Sequence, residues 1–583
     1  MRNAKIVCTL GPASSDTEMI RGLTEAGMSV ARLNASHGTT DHRATVIDRV
    51  RTVDAEGDRS LALMMDLKGP EVRTAEIDGH VTLETGSEVV FEPGDTATTD
   101  RVGLSVSIGA AEPGDQILLD DGRIEATVTA VDGEAVTATI DSGGDLQSRK
   151  GVNIPGVDLD IDLITPEDEQ EIKLAAEKQA DFVAASFVRD GEDVYAIADK
   201  IEEYGAEIPV VAKIERAGAV DNLDSIINAA DGVMVARGDL GVECPLEDVP
   251  IIQKRIINRC VDAGVPVITA TEMLDSMIKT RRPTRAEASD VANAVLDGTD
   301  AVMLSGETAV GDDPVRVVEM MSDIVSRVES TNEYAETVEQ RVPAASDRSR
   351  TEPLARSARY LARDIGASAI VAASESGYTA SKAAKFRPPV PVVATTPNDR
   401  VRRQLALVWG VTPQYHEYED TADTILESSV QAAIDAGAAQ SGETVVAISG
   451  LFSEVEGANT TNMLKVHIAA EKIASGKSIT GGRASGPLVR LTDGDLSSAP
   501  DGAILSLSAD FDGEFTGDVE RIGGIIDGRD GLTGYPAVVA REVGFPMISD
   551  AVVPESTDDG ETISVDAERG IVFDGDVLQS TPR

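Results

Sequence analysis

The side chains best suited to chemistry in this sequence follow short apolar runs, which are the segments that form buried strands. They are three basic groups, Arg32, Arg73 and Lys213, and two carboxylates, Glu215 and Asp239. Transfer of a phosphoryl group requires positive charge around the moving group and metal ions that bridge substrate oxygens. The basic groups supply the positive charge, and the carboxylates supply the oxygen ligands that Mg²⁺ prefers. A carboxylate pair also fits a salt-bridge network, and its convergence with the cations favours the metal interpretation.

Eight apolar runs alternate with amphipathic segments and have to bring these residues together. Continuous apolar strands separated by helices indicate a parallel sheet covered on both faces. Eight such units fit a closed (β/α)₈ TIM barrel better than an open doubly wound sheet, which the alternation by itself leaves open. In such a barrel the catalytic groups lie at the carboxyl ends of the strands. The predicted strands span residues 4–9, 29–33, 61–66, 182–186, 210–214, 232–236, 266–271 and 301–304.

Three further regions differ from the barrel in composition. Short alternating runs with Gly-Asp turns interrupt the barrel pattern and predict a small antiparallel β domain, placed as a lid over the active-site end. Residues 332–353 are polar and contain proline, so they predict a linker. The predicted architecture is α/β: a barrel (residues 1–70 and 151–342), a small β-barrel lid (71–150), an α/β domain (343–474) and an extra β-rich domain (475–583).

Composition and charge narrow the possible functions. The 583-residue chain carries a formal net charge of −49, which repels nucleic acid and anionic membranes. No apolar run is long enough to span a bilayer, and the first residues lack the apolar region of a signal peptide. Three widely spaced cysteines fit neither a zinc motif nor a disulfide framework. We therefore expect a cytoplasmic protein without nucleic-acid or membrane partners, and the dispersed acidic residues predict a halophile-like protein.

Nine motifs, in order along the chain, resemble those of pyruvate kinases. The longest group combines RPTRAE at residues 282–287, DVANAVLDG at residues 290–298 and MLSGETA at residues 303–309. The others are KIVCTLGPAS (5–14), ARLNASHG (31–38), DLKGPEVRT (66–74), KIE (213–215), VARGDLG (235–241) and ATEMLDSM (270–277). The resemblance covers roughly residues 1–474, and it implies transfer of the phosphoryl group of phosphoenolpyruvate to ADP.

The resemblance implies a role for each matched residue. Lys213 would stabilise the phosphoryl group during transfer, Arg32 would clamp phosphate, and Thr271 would be linked to protonation of the enolate. These three would be the catalytic residues. Gly238 and Asp239 would join them in binding the substrate. The implied nucleotide contacts are Asn34, His37, Arg73 and Lys150.

Two kinds of metal site are implied by the same resemblance. Mg²⁺ (or Mn²⁺) would bind to Glu215 and Asp239. Glu71 matches members of the family that require K⁺, whereas Leu67 departs from the Thr that is common among them. The family also suggests a homotetramer. The implied K⁺ ligands are Asn34, Ser36, Asp66 and the carbonyl oxygen of Leu67.

Two regions depart from the patterns that they resemble. Residues 374–380 (SESGYTA) resemble a loop that cradles a sugar-phosphate effector, but Glu375 stands where Lys is common, so we expect no activation by fructose 1,6-bisphosphate. The tail resembles the swivelling phosphohistidine domain of phosphoenolpyruvate-utilising enzymes at residues 479–486 and 531–546. Tyr535 occupies the place of the phosphorylated His, so no phosphoenzyme is expected to form there.

Three other functions fit parts of the sequence. A dikinase-like phosphocarrier is disfavoured by Tyr535 and by the absence of a region as large as an ATP-grasp domain. A Mg²⁺-dependent aldolase or lyase would share Glu215 and Asp239, but it would need neither Lys213 nor the lid. A binding protein without activity would not need every charged group that the chemistry requires. The sequence therefore favours a phosphotransferase.

Overall fold

The computed structural model describes residues 2–120, 122–157, 159, 161–346, 349–417, 421–450, 461–531 and 533–577. The chain divides into two compact units. One contains the residues up to 344 together with residues 384–387 and 399–413, and the other contains residues 345–383, 388–398 and 414 onward. This division is coarser than the four domains expected from the sequence, whose boundaries stay predictions. None of the described helices has the length and apolarity needed to cross a membrane.

The first unit begins with three strands and two helices of a barrel. The side chains of Asp16 and Thr39 cap the two helices by accepting hydrogen bonds from N–H groups of their first turns. The strands are buried almost throughout, as a sheet covered on both faces requires. The elements are β1 (Lys5–Thr9), α1 (Thr17–Ala26), β2 (Val30–Asn34), α2 (Thr40–Glu56) and β3 (Ala62–Asp66).

An inserted β domain follows β3. Its strands are β4 (His80–Leu83), β5 (Glu88–Pro93), β6 (Arg101–Leu104), β7 (Gln116–Leu119), β8 (Ile124–Asp132), β9 (Ala135–Ser142), β10 (Gly144–Gln147) and β11 (Val152–Asn153). They form a six-stranded sheet in the order β11-β7-β8-β9-β5-β6 and a ribbon of β10 with β4. The pairs are antiparallel except β5 with β6, as a mainly antiparallel insertion predicts.

The ring of strands in this insertion is nearly, but not fully, closed. Between the edge strands β6 and β11, Arg73 and Thr74 make only isolated bridges, to Gly151 and Leu104 respectively. Among the described residues, only these isolated bridges span the gap, so the six-stranded sheet stays open where a small barrel was expected.

The rest of the barrel follows the insertion. Its elements are α3 (Pro166–Glu177), β12 (Phe182–Ala185), α4 (Gly191–Glu203), β13 (Val210–Ile214), α5 (Ala217–Asp221), α6 (Leu223–Ala229), β14 (Gly232–Ala236), α7 (Arg237–Glu243), α8 (Val249–Ala263), β15 (Val267–Ala270), α9 (Arg285–Asp297), β16 (Ala301–Leu304), α10 (Gly306–Ala309), α11 (Pro314–Glu329) and α12 (Asn332–Gln340), with a 3-10 turn at Asp275–Ile278. The eight strands close in the order β1-β16-β15-β14-β13-β12-β3-β2, and neighbours are parallel. The predicted (β/α)₈ barrel is confirmed.

The linker predicted at residues 332–353 is wrong for its first part, because α12 occupies residues 332–340. Thr331 caps this helix by accepting a hydrogen bond from the N–H of Tyr334. Tyr334 is 7% exposed and packs in the core of the barrel, where its hydroxyl accepts a hydrogen bond of 3.2 Å from the indole N–H of Trp409. Tyr334, with the partly buried Val338, therefore anchors to the barrel core a helix that the polar composition of the segment did not indicate.

The second unit contains most of a five-stranded sheet with strand order β19-β18-β17-β20-β21. Strands β17, β18 and β20 pair in parallel, and β21 runs antiparallel to β20. The elements of this part of the chain are α13 (Thr351–Ile365), β17 (Ala369–Ala373), α14 (Tyr378–Lys385), β18 (Val392–Thr396), α15 (Asp399–Gln404), a 3-10 turn (Leu405–Leu407), β19 (Val411–Tyr415), α16 (Ala422–Asp435), β20 (Thr444–Ser449) and β21 (Met463–Ile468).

The tail belongs to the same unit and is rich in β structure, as predicted. Its eight strands follow the order β22-β29-β28-β24-β25-β26-β27-β23. The elements are β22 (Lys472–Ser475), β23 (Lys477–Thr480), β24 (Arg483–Leu491), β25 (Ala503–Leu507), a 3-10 turn (Val519–Arg521), β26 (Ile522–Asp527), α17 (Tyr535–Val543), β27 (Met547–Ser549), β28 (Thr562–Asp566) and β29 (Ile571–Asp574).

Residues 399–413, which include α15, pack into the first unit although they follow β18 in the chain. Ala406 and Leu407 join a buried cluster with side chains of the barrel strands, including Met64 and Met303. Lys5, the first residue of β1, donates a hydrogen bond of 2.7 Å to the carbonyl of Val411. The segment therefore packs at the amino-terminal end of the barrel strands.

Candidate active site

A buried network of charges joins the carboxyl ends of three barrel strands. Arg32 lies on β2, Asp66 ends β3, and Lys213 and Glu215 lie at the end of β13. Arg32 Nε is 2.6 Å from Asp66 Oδ2, and Lys213 Nζ is 3.3 Å from Asp66 Oδ1 and 2.8 Å from Glu215 Oε1. None of the four side chains is more than 12% exposed. The fold thus brings two cations and two carboxylates into one buried cluster.

The network fixes the charges of Asp66 and Lys213. Burial alone would raise the pKa of Asp66, but the charges of Arg32 and Lys213 outweigh it and hold that pKa below its usual value. Burial alone would lower the pKa of Lys213, but Asp66 and Glu215 outweigh it and hold that pKa above its usual value. Lys213 is therefore an ammonium and Asp66 a carboxylate at neutral pH.

The turn after β12 holds two members of this network. Ser186 Oγ accepts a hydrogen bond of 2.7 Å from Lys213 Nζ and donates one of 2.7 Å to the carbonyl of Leu67. The backbone N–H of Phe187 donates to Glu215 Oε2, also at 2.7 Å. Sequence reasoning missed Ser186, although it ends the strand predicted at residues 182–186. A survey of every polar residue at a predicted strand end would have found it.

Three further predicted residues follow β14 and β15. Gly238 and Asp239 begin α7 and are exposed. A Cβ atom on Gly238 would lie 2.8 Å from Thr271 Cγ2, so only glycine permits this close approach. Thr271 has a φ of 77°, a strained backbone of the kind that clusters at active sites. Arg237 supports it by donating hydrogen bonds of 2.7 Å to the carbonyl of Thr271 and to Asp290 Oδ1.

Glu215 and Asp239 fit a divalent cation by their chemistry and position. They follow the adjacent parallel strands β13 and β14, in which Ile214 pairs with Val235. Carboxylate oxygens at neighbouring strand ends are the ligands that Mg²⁺ uses together with water and substrate. Over the described part of the chain, no cluster of three or more His, Cys, Asp or Glu side chains has the arrangement of a metal site. A metal here would therefore need ligands from outside these side chains.

Oxygen atoms at the ends of β2 and β3 fit a monovalent cation. Asn34 pairs with Asp66 across these strands, and Asn34 Oδ1 accepts a hydrogen bond of 3.0 Å from the N–H of Ser36. Asp66 Oδ1 is buried and makes no hydrogen bond, although Lys213 Nζ is 3.3 Å away. Since a buried carboxylate oxygen without a donor is costly, a cation next to Asp66 and the carbonyl of Leu67 would satisfy it.

Of the four predicted nucleotide contacts, Asn34 pairs with Asp66 of this network, and the other three make different contacts. Arg73 is held by Glu71 Oε2, at 2.9 Å from Nε and 2.6 Å from Nη2. Lys150 Nζ lies 2.7 Å from Asp120 Oδ1. The His37 side chain is exposed. The structure thus pairs Arg73 and Lys150 with carboxylates of the insertion and does not bring them into contact with Lys213.

Comparisons with known proteins agree with the motifs. The family model described as pyruvate kinase, barrel domain, matches residues 1–318, and the one described as pyruvate kinase, alpha/beta domain, matches residues 352–467. A model described as PEP-utilising enzyme, mobile domain, matches residues 499–570. The resemblance of the tail to that class of enzyme is therefore confirmed.

Full-length relatives share this arrangement. The chain is 40% identical over 585 residues to a pyruvate kinase of Bacillus licheniformis, with 99% of each chain covered. It is 41% identical over 591 residues to one of Geobacillus stearothermophilus, covering 98% of this chain and 99% of the relative. It is 39% identical over 583 residues to one of Staphylococcus aureus strain MRSA252, with 99% of each covered. The chain therefore belongs to the pyruvate kinase family.

Proposed function

We propose that this chain transfers the phosphoryl group of phosphoenolpyruvate to ADP and so forms pyruvate and ATP, with Lys213 and Arg32 acting on the moving group. One observation carries the residue assignment. Two buried cations stand at the carboxyl ends of barrel strands and are held in place by Asp66 and Glu215.

Arg32 and Lys213 supply fixed positive charge. In phosphoryl transfer, charge is spread over the oxygens of the phosphoryl group, and preorganised cations lower the barrier most effectively. Lys213 is held by Ser186 and Glu215, and Arg32 donates hydrogen bonds to Asp66 and Thr9. Because these contacts exist before substrate binds, little reorganisation is needed when the charge moves.

The substrate is assigned to the ends of β13, β14 and β15. Thr271 and the backbone at Gly238 would bind its carboxylate, and Thr271 would take part in protonating the enolate. Glu215 and Asp239 would hold Mg²⁺ or Mn²⁺, which when bound supplies positive charge that bridges substrate oxygens. The support is the position of both carboxylates after adjacent strands.

The K⁺ site is assigned to Asn34, Ser36, Asp66 and the carbonyl of Leu67. Its main support is Asp66 Oδ1, which is buried without a hydrogen bond. We propose a requirement for K⁺ together with this site, since the pyruvate kinase family generally uses both Mg²⁺ and K⁺.

ADP is assigned to the opening between the barrel and the inserted β domain. Arg73 and Lys150 would exchange their carboxylate partners, Glu71 and Asp120, for nucleotide phosphates. His37 and Asn34 would contact the nucleotide from the loop after β2. Movement of the insertion towards the barrel would exclude water, which limits hydrolysis.

The tail is assigned a structural or regulatory role. Tyr535 is the first residue of α17, and its ring centroid lies 5.6 Å from that of Phe515, which in turn stacks on Phe511. A phenol packed in this way supplies no imidazole for a phosphohistidine, so the dikinase alternative loses its phosphate carrier. We also propose a homotetramer and a cytoplasmic location, both from family membership.

Regulation by a sugar bisphosphate is not expected. In the loop after β17, Ser374 Oγ accepts a hydrogen bond of 3.2 Å from the N–H of Thr379, and the carboxylate of Glu375 is exposed. This negative charge repels a phosphate. Fructose 1,6-bisphosphate at micromolar concentration should leave the phosphoenolpyruvate saturation curve unchanged, and a clear shift to lower concentration would contradict the assignment.

The test of the proposed function is pyruvate formation from phosphoenolpyruvate and ADP with Mg²⁺, in KCl and in NaCl at matched high ionic strength. Turnover in KCl alone supports both the reaction and the K⁺ site. Equal turnover in both salts supports the reaction and contradicts the K⁺ site. A folded protein without turnover in either salt would contradict the proposed function.

A further inference from the structure

The turn formed by Ser186 and Phe187 touches three parts of the site that lie on separate strands. Ser186 Oγ contacts Lys213 Nζ and the carbonyl of Leu67, each at 2.7 Å. The N–H of Phe187 contacts Glu215 Oε2 at 2.7 Å. Two consecutive residues therefore contact the group assigned to the phosphoryl, a K⁺ ligand and a Mg²⁺ ligand of the proposed function.

The direction of these hydrogen bonds is fixed. A hydroxyl has one hydrogen, and the carbonyl of Leu67 can only accept, so the hydroxyl hydrogen of Ser186 points to Leu67. The oxygen of Ser186 must then accept from the ammonium of Lys213. Of the three ammonium hydrogens, Ser186 and Glu215 take two. The third hydrogen of Lys213 faces Asp66 Oδ1 at 3.3 Å, and it would turn to an oxygen of the phosphoryl group when the substrate binds.

The backbone of the turn is strained and closely packed. Phe187 has a φ of 58°, in the left-handed region that side chains rarely adopt. A Cβ atom on Gly69 would lie 2.8 Å from Phe187 Cδ2 and 2.9 Å from Ser186 Cβ. The N–H of Gly69 is held by Asp168 Oδ1 at 3.2 Å, and the guanidinium of Arg216 lies 5.2 Å from the centre of the Phe187 ring. The turn is thus held in one position by its neighbours.

We propose that Ser186 is a positioning residue that couples the monovalent-cation site to Lys213, an inference that rests on the proposed function. The atoms form one chain: the carbonyl of Leu67, the hydroxyl of Ser186 and the ammonium of Lys213. When the carbonyl of Leu67 binds a cation, its position and its strength as an acceptor for Ser186 change. Linked hydrogen bonds polarise one another, so the strength of the hydrogen bond between Ser186 and Lys213 changes as well.

The test is the variant Ser186→Ala, which removes the hydroxyl without adding volume. We expect kcat to fall about 10-fold and the half-activating K⁺ concentration to rise about 10-fold, since hydrogen bonds to charged groups are among the stronger ones in proteins. The KM for phosphoenolpyruvate should change less, because Arg32, Thr271 and Gly238 are untouched. Ser186→Cys keeps a weaker donor and acceptor, and its K⁺ dependence should lie between those of the wild type and Ser186→Ala.

A matched control separates coupling from a general loss of stability. Ser429 is fully buried, and its hydroxyl is 2.7 Å from that of Thr395 in the second unit. Ser429→Ala therefore also removes a buried hydroxyl, but it should leave the half-activating K⁺ concentration unchanged. A second readout needs no turnover: exchange of Na⁺ for K⁺ at constant ionic strength should raise the Tm of the wild type and of Ser429→Ala more than that of Ser186→Ala.

The outcomes distinguish this inference from the proposed function. If the wild type makes pyruvate in a K⁺-dependent way and Ser186→Ala has the same K⁺ dependence as Ser429→Ala in both readouts, the coupling is refuted. If the wild type makes no pyruvate, the proposed function fails first, and the Tm shifts alone decide whether Ser186 affects cation binding. If Ser186→Ala does not fold, Ser186→Cys decides: wild-type K⁺ dependence in that variant refutes the coupling.

Discussion

Both ends of the barrel carry a buried cluster of arginine and aspartate. The two clusters differ in how many hydrogen bonds the aspartate oxygens accept. At the carboxyl end, Asp66 faces Arg32 and Lys213, and its Oδ1 makes no hydrogen bond. At the amino end, Asp181 Oδ2 accepts hydrogen bonds of 2.7 Å from Arg51 and from the N–H of Leu63. Its Oδ1 accepts one of 2.9 Å from Arg403.

This difference separates a structural cluster from a reactive one. Both aspartates are fully buried, so burial does not distinguish them. Asp181 is satisfied by protein groups alone, and Ala406 and Leu407 pack beneath the strands at that end. Asp66 Oδ1 makes no hydrogen bond, and the exposed residues Gly238 and Asp239 follow β14 at the same end of the barrel. The carboxyl end is therefore distinguished as the reactive end by its exposed residues and by a carboxylate oxygen without a hydrogen bond, and not by its charge.

The largest expected effect is a loss of kcat on substitution of Lys213. Lys213→Met removes the ammonium that is assigned to the phosphoryl group, and loss of one preorganised electrostatic group lowers kcat by about 10³-fold. Steady-state pyruvate formation measures this effect, with circular dichroism to show that the fold is kept. Arg403→Met, at the other end of the barrel, is the control and should keep kcat near that of the wild type. A Lys213→Met enzyme with near-normal kcat would show that the roles are wrongly assigned.

The next effect concerns stability at the amino end. Asp181→Asn removes the buried carboxylate that contacts Arg51 and Arg403. Asp399 and Asp54 still face Arg403, so we expect a cost of about 3 kcal/mol of unfolding free energy, at the low end for removal of one partner of a buried pair. Denaturant unfolding measures it, and kcat per folded molecule should stay unchanged. Asp66→Asn is the matched variant at the carboxyl end, where activity should be lost. Loss of kcat in both variants would remove the distinction between the two ends.

A smaller loss of kcat is expected on substitution of Gly69. Gly69→Ala places a Cβ atom within 3 Å of Ser186 and Phe187, and φ at this position is 71°. The turn must move, and displacement of catalytic groups by about 1 Å can lower activity about 10²-fold. Gly79→Ala is the control, because φ there is 83° but no atom lies within 4 Å of the added carbon. Similar kcat values for the two variants would show that the turn does not hold the site.

The smallest effect is a pH dependence at the amino end. Burial lowers the pKa of Lys5 from 10.5 to about 7, with Arg2 adding to the effect while Glu329 and Asp300 oppose it. Between these values the unfolded chain binds more protons, so the contribution of Lys5 makes the unfolding free energy rise with pH from about 7 to about 10. A difference of one bound proton would give a slope of ~1.4 kcal/mol of unfolding free energy per pH unit. Because the Lys5 side chain is only partly buried, we expect a smaller slope.

Urea unfolding at several pH values checks this effect. Lys5→Met should flatten the rise, whereas Lys279→Met, at a residue whose side chain is 72% exposed, should not. Identical slopes for the wild type and Lys5→Met would mean that the lysine is not desolvated in the folded state. The kcat value of Lys5→Met should match that of the wild type, because the residue lies at the end of the barrel opposite to Lys213.

Much of the fold and part of the site could be predicted from local patterns. Apolar runs that alternate with helical segments predicted all eight barrel strands to within a residue or two, and parallel strands bring their carboxyl ends together. The cations Arg32, Arg73 and Lys213 were therefore expected to converge with Glu215 and Asp239. The structure joins Arg32, Lys213 and Glu215 through Asp66, whereas Arg73 pairs with Glu71. The halophile-like character remains a prediction from the net charge of −49.

The sequence by itself determined which chemical groups stand at the strand ends, because strand periodicity and residue order are properties of the local chain. Only the tertiary structure decided which of their atoms are satisfied. Asp181 Oδ1 accepts a hydrogen bond from Arg403, which lies 222 residues away in the chain, whereas Asp66 Oδ1 has no hydrogen bond. Ser186 joins Leu67 to Lys213 across three strands in the same way. Whether a buried polar atom has a hydrogen-bond partner depends on such long-range contacts, and these cannot be predicted from local sequence patterns.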